Sequence, residues 1–139
     1  MNDETIEVVR RSFEQIAARK VDVAKIFYER LFEVAPSVRS MFSDDIAAQQ
    51  QKLMTSLVQI VQWVDRPDQL TRYLTNMGAR HAGYGAQPAH YDVVGAVLLW
   101  TFERVLGSDF TPEVRQGWTD AYGAVSSLMQ TGATTARVA

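Results

Sequence analysis

Three side chains could do chemistry from inward-facing positions: His81, Tyr28 and Gln49. His81 continues a stripe of Leu70, Leu74 and Met77 at steps of four, three and four, which sets an imidazole on the apolar face of a helix. A neutral imidazole there can be satisfied by a backbone carbonyl, or it can serve alone as the axial ligand of a haem iron. Tyr28 shares its face with Phe27 and Leu31, where its hydroxyl needs a carbonyl or some other acceptor. Gln49 lies one turn before Leu53 and points with it toward the same cavity, although it also opens the polar run Gln49-Gln50-Gln51-Lys52 that a solvated face would show. Singly, each residue reads most simply as structure. Together they set polar groups on apolar faces, which is costly unless something buried pairs with them.

The helical period that positions these residues runs through nearly the whole chain. Ile6, Val9, Phe13 and Ile16 step along one face of a first helix that Asn2 or Asp3 would cap. A second helix is expected from about Val21 to Ala35, ended by Pro36. After a short turn, Ser43-Asp44-Asp45 caps a long helix through Val64, with Leu53, Leu57, Ile60 or Val61, and Val64 inward. The break Asp65-Arg66-Pro67-Asp68 precedes the histidine helix, which Gly83 and Gly85 end. Pro88 opens a helix carrying Tyr91, Val94, Leu98 and Val105, and Thr111-Pro112-Glu113 opens the last one. The Thr- and Ala-rich stretch after Gln130 is expected to fray. No segment alternates as a strand does, so the fold class is all-α.

Composition narrows the function classes. At 139 residues the chain is one domain, 1–139, large enough to enclose a cavity. There are no cysteines, which excludes disulfides, thiolate metal sites and a thiol nucleophile. A formal charge of −2 gives no basic field for nucleic acid. The longest apolar run, Val93 to Trp100, is far short of the ~20 residues a membrane span needs, and the acidic start is no secretory signal; a cytoplasmic location is expected. The second histidine, His90, has no partner at zinc spacing, no serine sits in a nucleophile elbow, and no glycine loop precedes a basic residue. Acid–base catalysis by the chain's own side chains is not expected.

The order of these segments resembles the globin family, and more closely the bacterial single-domain globins, which are similar to the haem domain of flavohaemoglobins. The resemblance covers Ile6 to Met129. It is carried by Ile26-Phe27-Tyr28-Glu29-Arg30-Leu31-Phe32 with Pro36 and Phe42, by Gln49 to Met54, by Gly78-Ala79-Arg80-His81-Ala82-Gly83-Tyr84-Gly85 with Pro88 and His90-Tyr91, and by Trp118 to Gly123. It implies a globin fold of about six to eight helices around a haem b pocket. His81 would ligate the iron, Phe42 would pack on the haem face, and Tyr28 and Gln49 would face the bound gas. Leu53 would stand over the iron, and Tyr91 would lie near the proximal histidine. Val94 and Leu98 would line the pocket, and Lys52 and Arg80 would meet the propionates or simply be solvated. The family's flavohaemoglobin-type members carry a glutamate late in the last helix. Aligning from Trp118 sets Thr135 at that place, which weakens the case for peroxidase-like chemistry.

The implied function is tight, reversible binding of oxygen and other diatomic gases (nitric oxide, carbon monoxide), for storage or scavenging. Nitric oxide dioxygenation, with electrons from an external reductase, is an activity the resemblance allows. The alternatives are a haem-based gas or redox sensor acting through a protein partner, and a cofactor-free helical interaction module.

Overall fold

Asn2 starts the first helix. Its side-chain oxygen accepts the Thr5 N–H at 2.8 Å, and Asp3 and Glu4 place negative charge in the first turn of α1 (Asp3–Ala18). Ala35 leaves the helical region before Pro36 and ends α2 (Lys20–Val34), and a 3₁₀ helix, Pro36–Met41, follows. The Asp45 carboxylate accepts the Ala48 N–H and caps α3 (Ile46–Gln62). The remaining helices are α4 (Pro67–Gly83), α5 (Pro88–Leu106) and α6 (Pro112–Val138), with a short 3₁₀ turn, Gly107–Asp109, before the last. This computed structural model describes residues 1–138, and it shows no strand among them. The all-α class expected from the period is present.

Three local expectations change. Helix α3 stops at Gln62, not Val64, because the chain tightens into a turn in which the Arg66 N–H donates to the Trp63 carbonyl at 2.8 Å. That turn is held from outside: the Arg10 guanidinium donates to the Asp65 carboxylate at 2.8 and 3.2 Å and to the Gln62 carbonyl at 3.1 Å. Of the two glycines after His81, Gly83 is still helical. Gly85 is the one that takes the left-handed conformation, at φ +92°, and turns the chain toward α5. The stretch after Gln130 does not fray. It continues α6, and Ala133 is only 2% exposed. Gly132 and Ala133 are buried packing residues, while Thr131, Thr134, Thr135 and Ala136 face outward.

Two apolar clusters fill the interior. One joins α1, α2, α3, the middle of α5 and Trp118; it holds Ile16, Val23, Phe27, Tyr28, Leu31, Leu57, Leu98 and Phe102. The other lies between α4, the start of α5 and α6, and consists of Leu70, Leu74, Met77, Tyr91, Val125 and Met129. Helix α5 runs through both. Among the described residues α4 packs extensively on α6, whereas α3 packs on α2 and α1, and α3 and α4 have little close contact with each other. The two helices joined by the 63–66 turn therefore sit against different partners, α3 on α2 and α1 and α4 on α6, and the space between them is here termed the crevice.

Candidate functional site

On the α4 side of the crevice, the His81 Nδ1 lies 2.8 Å from the Met77 carbonyl. A carbonyl can only accept, so Nδ1 carries the proton and Nε2 presents its lone pair. Burial holds the imidazole below its usual 6.5, and the Arg80 charge adds to this; the Met77 bond opposes both. The ring is thus kept neutral, the form that ligates a metal. Met77 itself is buried against Tyr91, and the Tyr122 hydroxyl donates to the Tyr91 carbonyl at 2.6 Å. Tyr122 can lie there because Gly95 has no side chain: a Cβ would fall 2.5 Å from its ring. His81 also contacts Tyr84, with ring centroids 5.6 Å apart. The second histidine has a different task. His90 Nδ1 accepts the Gln87 N–H at 2.8 Å and closes the capping box of α5.

The α2–α3 side is aromatic. Tyr28 is 5% exposed and meets Phe27, Phe32 and Phe42 at centroid separations of 5.0, 5.8 and 5.6 Å. Its hydroxyl donates to the backbone carbonyl of Gln49 at 3.2 Å, long for an O–H···O bond. Burial pushes that hydroxyl up to about 12, so it is a neutral donor at any physiological pH. Phe42, Leu53 and Val94 are half-buried and pack against the same cluster, and Leu98 is buried within it. Gln49 is half-buried; Lys52 and Arg80 are exposed.

The structure thus gathers Tyr28, Phe42, Leu53, Val94, Leu98 and the Gln49 backbone into one cluster, and His81 with Tyr91 into the neighbourhood of the other. Thr135 is not near His81. Gly78 meets Met129 and Gly132 meets Thr75, so α4 and α6 run antiparallel in a register that brings His81 level with Ser126. Thr135 lies nine residues further on, about 13 Å along the helix, exposed and donating to the Thr131 carbonyl. The residues the sequence reading missed are the ones that hold His81: the Met77 carbonyl, Tyr122, Gly78 and Gly132. The spacing Gly78-x-x-His81 was a visible signal for the glycine on α4.

The Globin family profile matches residues 25–129. A flavohemoprotein of Rhodopirellula baltica is 28% identical over 92% of this chain, and one of Bacillus subtilis 25% over 91%. In each case the match covers 32% of the relative, so the chain spans about a third of the length of these curated relatives. Among solved structures, an engineered carbene transferase from Rhodothermus marinus, described as a candidate nitric oxide dioxygenase, superposes with a TM-score of 0.89 at 28% identity, covering 99% of this chain and 96% of that one. A bacterial globin from Campylobacter jejuni superposes at 0.88 with 19% identity, covering 99% and 100%. No helix among the described residues is long and apolar enough to cross a membrane.

Proposed function

This chain belongs to the globin family, and we propose that it binds haem b in the crevice between α3 and α4, with His81 as the iron ligand, and holds oxygen tightly on the opposite face. The observation that carries this reading is the bond from His81 Nδ1 to the Met77 carbonyl, which leaves Nε2 to ligate. Once bound, the haem supplies a ferrous centre with one position open to a diatomic gas.

The chain's own residues do the rest. Phe42, Leu53 and Val94 offer apolar surface that they now leave half-exposed, and covering it is favourable by roughly 25 cal/mol per Å². Lys52 and Arg80, both exposed, would pair with the carboxylates of a bound haem or stay solvated. Tyr28 turns its proton from the Gln49 carbonyl toward the gas, and the Gln49 amide adds a second donor. Toward a gas that carried partial negative charge, each donor would be worth toward the upper part of the roughly 1.5–3 kcal/mol range of charge-assisted bonds.

Slow release suits scavenging, storage, or reaction of the held oxygen with nitric oxide to give nitrate. The likeness to flavohemoproteins and to a candidate nitric oxide dioxygenase supports the last, with electrons supplied by a reductase, in the same polypeptide or apart. The test is spectroscopic and then kinetic. Purified protein reconstituted with haem should show a Soret band and a stable oxygenated form that consumes nitric oxide stoichiometrically. Absence of a Soret band would remove the reading. A stable oxygenated form that leaves nitric oxide untouched would restrict it to oxygen binding.

A further inference from the structure

Helix α4 carries the proposed iron ligand, and among the described residues its one extensive helix partner is α6. The two helices meet backbone to backbone. A Cβ built on Gly78 would fall 1.8 Å from the carbonyl oxygen of Met129, and one built on Gly132 would fall 2.0 Å from the carbonyl oxygen of Thr75. The contacts are reciprocal: a glycine on each helix receives a carbonyl of the other. Neither obstacle can rotate away as a side chain would, because both belong to helical backbone. A methyl at either place must therefore push the helices apart by about 1 Å or more before the contact becomes tolerable.

We propose that Gly78 and Gly132 are positioning residues whose missing side chains seat α4 on α6 and thereby set where His81 stands. The inference rests on His81 being the iron ligand. Gly78 follows Met77, whose carbonyl fixes the imidazole, and precedes His81 by three residues. A displacement at this point moves the ligand and its anchor together. Glycine is a poor residue for a helix interior, so its presence at both facing positions is explained by the close approach and not by helix propensity. The same two helices carry a contrast. At Gly83 on α4 and Gly123 on α6 a Cβ would have nothing within 4 Å, so alanine there changes propensity without a collision.

The test uses the full chain loaded with haem in five forms: wild type, Gly78→Ala, Gly132→Ala, Gly83→Ala and Gly123→Ala. The readout is the iron–histidine stretching band of the ferrous, gas-free protein, with haem transfer to an acceptor apoglobin as a second measurement. Gly78→Ala and Gly132→Ala should shift the band and release haem about tenfold faster, a difference of about 1.4 kcal/mol. Gly83→Ala and Gly123→Ala should keep the wild-type band. If Gly78→Ala does not fold, Gly132→Ala, whose Cβ meets the backbone of Thr75 in the same way, decides alone. A wild-type band in the folded, loaded variants at both contact glycines would overturn the proposal while leaving the haem reading intact. An iron–histidine band that persists in His81→Ala would instead overturn His81 as the iron ligand, and this inference with it.

Discussion

On the α4 side of the crevice, His81 is fixed by a 2.8 Å bond to Met77, on a helix seated backbone to backbone against α6. On the α2–α3 side, Tyr28 is fixed as a ring, among Phe27, Phe32 and Phe42, but its hydroxyl rests on the Gln49 carbonyl at 3.2 Å. The first arrangement leaves one nitrogen lone pair in one place. The second leaves a proton that a better acceptor can take without moving the ring. Under the proposed function the difference corresponds to two tasks: a ligand that must stay put, and a donor that must answer to what arrives.

The largest effect expected from this contrast concerns the crevice as a whole. Haem that binds only the folded chain stabilises it by mass action, about 2.7 kcal/mol at a hundredfold excess over the dissociation constant. Thermal unfolding with and without haem should show a clear rise in midpoint, and equal midpoints would mean that the two walls do not share a ligand. A smaller effect isolates the distal wall. Tyr28→Phe keeps the ring and removes the proton, so oxygen should dissociate about ten- to a hundredfold faster, for a loss of roughly 1.5–3 kcal/mol. Carbon monoxide carries little charge on its outer atom and should respond much less. Like responses of both gases in stopped-flow displacement would make Tyr28 a packing residue only.

The smallest effect is in the pH dependence of the haem-free chain. The folded state raises the Tyr28 hydroxyl from 10.0 to about 12 by burial. Its contribution to stability is therefore complete below pH 10 and lost as the pH rises toward 12, because the unfolded chain gives up the proton first. Tyr122, raised by burial as well, acts in the same direction. Tyr28→Phe should flatten part of the alkaline loss of stability measured by denaturant titration, and an unchanged slope would contradict the buried-donor account.

The distal wall was more legible in the sequence than the proximal support. Tyr28 and Leu53 lie on helix faces whose period can be read directly, Phe42 follows in the turn after Pro36, and His81 falls on the stripe of Leu70, Leu74 and Met77. What holds His81 is made of backbone: the Met77 carbonyl has no residue type to announce it, and Gly78 and Gly132 act through the side chains they lack. The stretch after Gln130 misled for the same reason, since threonine, alanine and glycine read as a fraying end until the contact of Gly132 with Thr75 is seen. Arg10 and Asp65 are 55 residues apart, and no local pattern joins them across the 63–66 turn. The Thr135 placement failed because an alignment carried along one helix does not report which of its turns faces another.

The central claim is that His81 Nε2 is the group the crevice presents to iron. The direct measurement is haem content together with the ferrous–carbonyl spectrum of His81→Ala, taken beside wild type and with imidazole added back. Loss of stable haem, or a weakly held haem whose spectrum imidazole restores, is the predicted result; His90 cannot substitute, because its Nδ1 is committed to the Gln87 N–H at the start of α5. Full haem content with an unchanged ferrous–carbonyl spectrum would contradict it.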